Sequence, residues 1–315
     1  MQKFTNTIIC GDCIEVLGKV DAPFADLIFA DPPFNIGYKY DKYYDKVKSK
    51  NYIAWTREWI AACKKVLKPA GSFYIAIGDD YAANVKIIAD ELGLYLRNWI
   101  IWHYTFGQQT KTKFARSHTH IFYLVNDKKD FTFNDHAVRV PSDRQLIYND
   151  RRANPAGKMP DDVWTEYSRV CGTFKERTGW HPCQMPESLL NRIIAASSNP
   201  GDCVLDPFCG SGTTPAAAWQ LGRNFVGIEI SPQYVENARK RVAQLKKRHG
   251  DSFPFNTSEL DEMKRLLADM HASPREITAD RDILQVFAGQ LTVRMNAGRQ
   301  YREDEIVTAL RDLAD

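Results

Sequence analysis

The chain has 315 residues, of which 44% are hydrophobic and 26% charged, and its formal net charge is +3. These values are typical of a globular protein with one large domain and a smaller appendage, and they exclude a disordered chain. No apolar stretch reaches the roughly 18 residues that a membrane span needs, and residues 1–6 lack a signal-peptide pattern, so we expect a cytoplasmic protein without a membrane partner.

The seven cysteines are scattered through the chain, unlike the dense framework of a disulfide-rich secreted protein, so we expect reduced thiols. Cys10 and Cys13 have the C-x-x-C spacing, but candidate partners between Cys171 and Cys183 do not complete a standard zinc pattern. A redox pair belongs at the start of a helix, whereas Cys10 closes a strand-like run. We therefore predict neither a metal site nor a thioredoxin-like function.

The charge is divided unevenly along the chain. Residues 251–315 carry 8 Lys and Arg against 13 Asp and Glu, so 34 against 26 remain in residues 1–250. A basic main body is compatible with a phosphate-backbone partner, although its excess charge alone does not decide the question. We do not expect the acidic tail to hold nucleic acid.

Strand-like runs alternate with helical patterns in the main body, which is typical of an α/β sheet with helices on both faces. The predicted strands are residues 7–10, 25–30, 72–77, 96–105, 120–125, 203–205 and 224–229. The predicted helices are residues 52–67, 81–92, 186–197, 213–221 and 232–248. The sequence therefore predicts a seven-stranded sheet.

Two parts of the chain break this alternation. Residues 126–180 lack clear periodicity and are interrupted by Pro and Gly, which indicates an irregular, functional insertion. Residues 251–315 show helical patterns at 258–271, 280–295 and 302–313 without strands. We predict a main domain at 1–250 with an insertion at 126–180, and a small helical appendage at 251–315. The apolar spacing within 284–295 favours a core stripe over a partner groove.

A glycine motif follows the predicted strand 203–205. Asp206 ends that strand, and Gly210 and Gly212 would let a ligand approach the backbone before a helix begins near residue 213. Glu229 ends the next strand, where an acid can accept hydrogen bonds from both hydroxyls of a ribose. A plain structural turn would explain the two glycines, but not this whole arrangement, which indicates a nucleotide-like ligand.

The same motif departs from two known phosphate-binding patterns. Pro215 stands where a dinucleotide fingerprint has its third glycine, and no P-loop sequence is present. Phe208, just before the glycines, would offer an apolar wall instead. A ligand that carries little or no phosphate is therefore favoured.

Asp31-Pro32-Pro33-Phe34 follows the predicted strand 25–30. Two prolines fix the backbone there, so the Asp31 carboxylate and the Pro32 carbonyl can converge as acceptors for a planar NH₂ group. Phe34 can stack on the ring that carries this amine, as in sites that hold a base swung out of its duplex. The motif therefore indicates chemistry on the amino group of a nucleic-acid base.

In these two motifs the chain resembles the amino-group DNA methyltransferases that depend on S-adenosylmethionine. Asp31–Phe34 matches their catalytic tetrad and Phe208–Gly212 their cofactor motif, and this order is similar to the permuted β class. The resemblance covers about residues 5–245 and leaves out the tail. It implies a Rossmann-like, mostly parallel sheet with one antiparallel member in an edge hairpin, S-adenosylmethionine as the cofactor, and double-stranded DNA as the partner.

The resemblance also implies roles for two further segments. His181–Glu187 looks like the segment that packs on the methionine moiety of the cofactor, and Asp12 like the acid that faces its adenine amino group. An ordinary turn or core histidine and an ordinary helix cap are the alternatives for His181 and Asp12. The expected cofactor-binding residues are Asp12, Asp31, His181, Asp206, Phe208, Gly210, Ser211, Gly212, Thr213 and Glu229.

The methyl group of the cofactor is already activated as a sulfonium, so the chemistry needs orientation of the amine and exclusion of water rather than a nucleophilic cysteine. The Pro-Cys nucleophile of carbon-5 cytosine methylation is not expected, because Pro182-Cys183 lies in the segment assigned to cofactor packing. Asp31 favours adenine N6 over cytosine N4 as the target, since the cytosine-N4 members of the family commonly carry Ser there.

DNA contacts are expected in two places. Residues 35–44 mix aromatic residues with lysines, as a mobile loop over a flipped base would, although a merely solvated loop has the same composition. The second place is in and beside the insertion, where the family keeps its target-recognition region. The candidate residues are Tyr38, Lys39, Lys111, Lys113, Arg116, Arg139, Arg144, Arg151, Arg152 and Lys158.

Three rival functions remain beside adenine methylation of DNA. They are a cytosine-N4 or RNA-base methyltransferase, a protein glutamine methyltransferase and a non-catalytic nucleotide-binding regulator. The glutamine enzymes place their cofactor motif before the Pro-Pro motif, which is the reverse of the order here, and a regulator would not need an intact tetrad.

The tail is a candidate homodimer interface, and a cognate restriction endonuclease that acts on the same site is a candidate partner.

Overall fold

The computed structural model describes residues 5–108, 110–148, 150, 152–154, 156–172, 174, 176–248, 255, 257–295 and 301–314. Within these residues, no helix has both the length and the apolar character needed to cross a membrane. The chain divides into two compact units. The first contains Met1–Thr132 and Asp162–Gln244, and the second contains Phe133–Asp161 and Leu245–Asp315.

A large mixed sheet forms the centre of the first unit. The strands are β1 (Thr7–Cys10), β2 (Ala25–Ala30), β3 (Tyr38–Lys39), β4 (Tyr44–Asp45), β5 (Leu67–Ile77), β6 (Tyr95–Gln108), β7 (Arg116–Val125), β8 (Val163–Trp164), β9 (Cys203–Asp206) and β10 (Asn224–Glu229). Eight of them form one sheet in the order β1-β10-β9-β2-β5-β7-β6-β8, while β3 and β4 form a separate antiparallel hairpin. In the large sheet only β7 is antiparallel to its neighbours.

The expected Rossmann-like, mostly parallel sheet is confirmed, but its strand count is eight rather than seven. The additional strand, β8, pairs with β6 over only two residues, Val163 and Trp164. A strand this short has no alternating pattern that the sequence could reveal. The antiparallel member, β7, belongs to the β6–β7 hairpin near one edge of the sheet.

The helices of the described residues are α1 (Cys13–Gly18), α2 (Ser49–Val66), α3 (Asp79–Glu91), α4 (Asp143–Leu146), α5 (Glu187–Ser197), α6 (Thr213–Gln220), α7 (Pro232–Arg248), α8 (Thr257–Asp269), α9 (Pro274–Ala279), α10 (Arg281–Met295) and α11 (Glu303–Ala314). Six of them, α1, α2, α3, α5, α6 and α7, cover the two faces of the sheet. Buried side chains of α1, α2 and α3 pack in one apolar cluster, and those of α5, α6 and α7 in another. Ile28 and Phe29 of β2 belong to different clusters, so β2 is buried on both faces.

The second unit has a helical core of its own. Phe287 and Leu291 of α10 are fully buried, and Leu284 lies in the same cluster, so this apolar stripe is a core stripe. A Cβ atom at Gly289 would lie 2.7 Å from the carbonyl oxygen of Ala137, so α10 packs closely on the single-turn 3-10 helix His136–Val138. Residues 133–161 therefore pack with the C-terminal helices in one unit. The division predicted from the sequence, with an insertion at 126–180 and an appendage at 251–315, stays a prediction.

Candidate active site

The two sequence motifs meet in one cavity of about 750 Å³ in the first unit. Asp31 follows β2 and Asp206 ends β9, and these neighbouring parallel strands finish at the same edge of the sheet. Ligands of open α/β sheets bind at this edge, and the volume lies within the roughly 300–1,000 Å³ of small-molecule sites. All four tetrad residues line the cavity, as do nine of the ten expected cofactor-binding residues, with Gly212 outside the lining.

The tetrad Asp31–Phe34 is held by contacts from two helical segments. The hydroxyl of Tyr52, on α2, donates to the Pro33 carbonyl at 2.6 Å. The Phe34 ring lies against Gly78, where an added Cβ atom would be 3.2 Å from Phe34 Cδ2. The Pro33 carbonyl therefore has a partner within the fold, while Pro32 lines the cavity beside it.

The segment after the tetrad is organised by a buried carboxylate that sequence reasoning missed. Asp45, fully buried, accepts hydrogen bonds from the backbone N–H of Asn35 at 2.6 Å and of Ile36 at 3.2 Å. Asn35 has a φ of 59°, a left-handed conformation that asparagine tolerates. The expected loop at 35–44 thus contains the β3–β4 hairpin, in which Tyr38 and Lys39 are exposed.

Two neighbouring carboxyl groups in the cavity have raised pKa values. Burial, and then the charge of Asp206, raises the pKa of Asp31 to about 7, while the Arg169 guanidinium acts in the opposite direction. Burial also raises the pKa of Asp206 to about 7, although Thr214 Oγ1 and the Phe208 N–H donate to it at 2.5 and 2.9 Å. Paired, buried carboxyls with raised pKa values are typical of functional sites.

Arg169 is a second residue that sequence reasoning missed. It lines the cavity, and its guanidinium carbon lies 5.0 Å from the ring centroid of Tyr104, which lines the same cavity. Arg169 comes from the aperiodic segment 126–180, and nothing in the local sequence distinguished it from the other arginines there. Its position makes it the cation that favours the ionised form of Asp31.

The glycine loop and the end of β10 are joined through Glu229. Its two carboxylate oxygens accept from the N–H of Gly210 at 2.9 Å and of Ser231 at 2.8 Å. A carboxylate has about four acceptor positions, so Glu229 retains capacity to accept from hydroxyl groups of a ligand. Burial raises the pKa of Glu229, and the backbone N–H groups of Ser231, Gly210 and Ile230 partly offset that effect.

Gly212 has a packing role, and Arg241 supports the loop beside it. Gly212 has a φ of 75° before α6, and an added Cβ atom would lie 2.8 Å from the Cβ atom of Ala238 on α7. Arg241 donates to the Ser211 carbonyl and to Thr213 Oγ1, each at 3.0 Å, and forms a buried ion pair with Glu187. Arg241 was missed because it lies far along the chain, on the polar-rich helix α7.

Asp12 and His181 each make a contact within the fold and also line the cavity. Asp12 Oδ1 caps α1 by accepting from the Ile14 N–H at 2.8 Å, and Asp12 also lines the cavity. His181 lines the cavity while its ring centroid lies 4.8 Å from that of Tyr234. An added Cβ atom at Gly210 would be 2.8 Å from His181 Nε2. Burial lowers the pKa of His181 to about 4, so its ring is neutral at neutral pH.

The expected DNA-binding residues fall in different places. Arg116 lines the cavity and forms ion pairs with Asp79 at 3.0 Å and Asp80 at 3.2 Å. Lys111 and Lys113 are exposed in the loop that joins β6 and β7. Arg151 lies outside the described residues. The remaining arginines and Lys158 belong to the second unit and pair with acidic side chains there: Arg139 with Asp135, Arg144 and Arg152 with Asp150, and Lys158 with Asp161.

The cysteines are free thiols. Cys209 is buried against Gly227, where an added Cβ atom would be 2.6 Å from Cys209 Sγ, and burial raises the pKa of this thiol. Burial likewise raises the pKa of the Cys183 thiol. Neither cysteine is an activated thiolate. Among the described residues, no group of three or more His, Cys, Asp or Glu is arranged to hold a metal ion.

The sequence and fold match known proteins. A sequence model of the DNA methylase family matches residues 25–240. Type II methyltransferase M.HpaI of Haemophilus parainfluenzae is 39% identical over 236 residues, covering 75% of this chain and 73% of that protein. DNA adenine methyltransferase YhdJ of Escherichia coli (strain K12) is 42% identical over 246 residues, covering 75% of this chain and 82% of that protein.

Solved structures show the same fold at lower identity. The crystal structure of the M1.HpyAVI–SAM complex has a TM-score of 0.55 and 24% identity over 75% of this chain and 98% of that one. PvuII DNA methyltransferase, described as cytosine-N4-specific, has a TM-score of 0.57 and 19% identity over 78% of this chain and 95% of that one. From its sequence the chain belongs to the DNA methylase family, whose methyl donor is S-adenosylmethionine.

Proposed function

We propose that this protein transfers a methyl group from S-adenosylmethionine to N6 of an adenine that is flipped out of duplex DNA. The observation that carries the proposal is the single cavity walled by the tetrad Asp31–Phe34 and by the loop from Asp206 to Thr214. One wall presents acceptors for an amine, and the other presents a carboxylate and backbone groups for a nucleoside. The two reactants would therefore meet in one place.

The residues at the glycine loop fit the nucleoside part of the cofactor, which supplies an activated methyl group as its sulfonium. Glu229 has acceptor positions left for the two ribose hydroxyls, as its hydrogen bonds indicate. Asp12 caps α1 through Oδ1, so Oδ2 is available to accept from the adenine amino group. Phe208 packs against the rings of Trp55 and Trp59, at centroid distances of 5.7 and 5.2 Å, and forms an apolar wall.

The residues at the tetrad fit a base with an exocyclic amine. The Asp31 carboxylate and the Pro32 carbonyl would accept both amine hydrogens, which orients the nitrogen lone pair and stabilises positive charge on the attacking nitrogen. Phe34 would stack on the base. Arg169 would favour the ionised form of Asp31, since its charge partly offsets the effects of burial and of Asp206. Adenine is supported by the Asp at the first tetrad position and by the name of the relative from E. coli.

The test is nucleoside analysis of methylated DNA. Duplex plasmid is incubated with the purified full chain and S-adenosylmethionine, digested and analysed by mass spectrometry, and we expect N6-methyladenine. Asp31→Ala should abolish methylation even at S-adenosylmethionine concentrations that calorimetry shows to be saturating for the variant, while exposed Asp21→Ala should behave as wild type. N4-methylcytosine would overturn the choice of adenine. Turnover by Asp31→Ala would contradict the proposed role of the tetrad.

Several finer expectations stay predictions. A homodimer through the tail would be measured by light scattering of the purified protein. A cognate restriction endonuclease would cut unmethylated DNA at the site that sequencing of the modified DNA reveals, and the type II name of the relative M.HpaI supports a search for it. The cytoplasmic location and the DNA contacts of Tyr38, Lys39 and the insertion also remain to be measured.

A further inference from the structure

The most exposed large apolar side chain among the described residues is Phe114. It is 99% exposed, whereas the next in order, Tyr148 and Ile147, are 73% and 69% exposed. Single exposed apolar residues are common on protein surfaces, and exposure alone does not assign them a function. A phenylalanine with nearly all of its surface in water contributes nothing to the core of the protein, so its ring is free to contact a partner.

The loop that carries Phe114 is a closed hairpin loop. Gln108 at the end of β6 pairs with Arg116 at the start of β7, so the loop leaves and re-enters the sheet at one point. The hydroxyl of Thr110 donates to the Lys113 carbonyl at 2.6 Å and accepts from the Lys113 N–H at 3.2 Å. This hydrogen-bonded turn immediately precedes Phe114 and fixes the backbone that presents its ring.

Positive charge precedes the exposed ring in the same loop. Lys111 and Lys113 are both exposed, and neither forms an ion pair within the part of the chain that the structure describes. Lysines without an acidic partner attract a polyanion such as the phosphate backbone of DNA. An aromatic ring in a loop with such lysines is suited to the base stack between two phosphate strands.

The loop begins at the wall of the active-site cavity. Trp102 and Tyr104 of β6 and Arg116 and His118 of β7 all line that cavity. Phe114 is two residues from Arg116, so their Cα atoms are at most about 7 Å apart. A DNA duplex that delivers a base to Asp31 would therefore pass close to this loop.

We propose that Phe114 inserts into the base stack of duplex DNA and fills the space that the target adenine vacates, while Lys111 and Lys113 contact the flanking phosphates. Swinging a base out of its duplex costs free energy because stacking and pairing are lost, and an apolar side chain in the gap recovers part of the stacking. Phe114 is thus a positioning residue rather than a catalytic one. The proposal rests on the proposed function, since only a duplex substrate needs a wedge.

The test compares Phe114→Ala with wild type on two short duplexes that carry the methylation site found by sequencing. In one duplex the target adenine is paired, and in the other it faces an abasic position, where extrusion is easier. Single-turnover methylation of the paired duplex should fall by at least about tenfold, and that of the abasic duplex by less than about twofold. Phe114→Trp should restore most of the rate. With 2-aminopurine at the target, the fluorescence rise on binding should shrink in the Ala variant.

A matched control is Ile87→Ala, because Ile87 on α3 is 55% exposed and does not line the cavity. It should keep the wild-type rate on both duplexes. Equal rates for Phe114→Ala and wild type would overturn the wedge, and so would an equal loss on both duplexes, which would indicate DNA binding alone. If wild type methylates neither duplex, the proposed function itself fails, which is a distinct outcome. Because Phe114 packs against almost nothing, the variant should fold, and its melting temperature checks this.

Discussion

Gly212→Ala should destabilise the protein more than Gly222→Ala, although both glycines flank the helix α6. Gly212 precedes the helix with a φ of 75°, and Gly222 follows it with a φ of 72°. Any other residue at either position incurs the cost of the left-handed conformation, about 1–2 kcal/mol. The two sites differ in the space that an added methyl group would enter.

The size of the difference follows from the contacts. An alanine Cβ at Gly222 would meet nothing within 4 Å, so the conformational cost is the whole cost. At Gly212 it would lie 2.8 Å from the Cβ atom and 3.2 Å from the Cα atom of Ala238, on the facing helix α7. Overpacking of this kind adds about 1–3 kcal/mol, because a backbone atom cannot move aside as a flexible side chain can. We expect about 2–5 kcal/mol for Gly212→Ala and about 1–2 kcal/mol for Gly222→Ala.

Thermal unfolding of the two purified variants measures this difference. At about 2–4 °C per kcal/mol for a domain of this size, Gly212→Ala should melt roughly 2–12 °C below Gly222→Ala. Calorimetric titration with S-adenosylmethionine at a temperature where both are folded separates packing from binding. Equal melting temperatures would refute the packing argument. A large loss of affinity with an unchanged melting temperature would instead favour the cofactor-binding role expected from the sequence.

The remaining predictions concern the acids near the tetrad. Asp45→Ala leaves the N–H groups of Asn35 and Ile36 without their acceptor, so we expect about 2–6 kcal/mol lower stability, and at least tenfold slower methylation, with Asp45→Asn in between. The kcat/KM for DNA should rise with pH around a midpoint of about 7, where Asp31 ionises. Arg169→Met should move this midpoint to higher pH, because it removes a charge that favours the ionised carboxylate. An unmoved midpoint would show that Arg169 does not act on Asp31. The pKa of Asp31 is higher in the folded protein than its usual value of 3.8, so the wild-type protein loses stability as the pH rises from about 4 to about 7. Asparagine does not ionise. Asp31→Asn should therefore melt at a higher temperature than wild type at pH 8, and not at pH 4.

The sequence was most informative where function depends on short segments. The apolar run of β2 ends at the tetrad, and that of β9 ends at Asp206, so the ends of both strands could be located from pattern alone. The helical spacing of α2 likewise reveals its buried face. These features are local, and a strand end followed by prolines or glycines is visible within about ten residues.

The missed residues depend on contacts between distant parts of the chain. Asp45 is an ordinary acid in a charged segment until the hairpin turns it toward Asn35. Arg169 belongs to the irregular segment 126–180 and Arg241 to the polar helix α7. Each segment contains other arginines that the sequence does not distinguish from them. The two-residue strand β8 is defined by its pairing with β6. In each case the partner, which is remote in sequence, gives the residue its role.

The chain order of the motifs identified the class of enzyme, but the order of strands in the sheet builds the site. β2 pairs with β9 through Leu27 with Val204 and Ile28 with Leu205, although these residues lie far apart in the chain. Asp206 directly follows one of these pairs, and Asp31 lies three residues beyond the same pair on the other strand, so the charge of Asp206 adds to the larger effect of burial in raising the pKa of Asp31. A permuted chain and an unpermuted one would give this same adjacency if β2 and β9 remain neighbours. The electrostatics of the tetrad therefore depend on strand pairing as well as on burial, and the pH profile of methylation would respond to both.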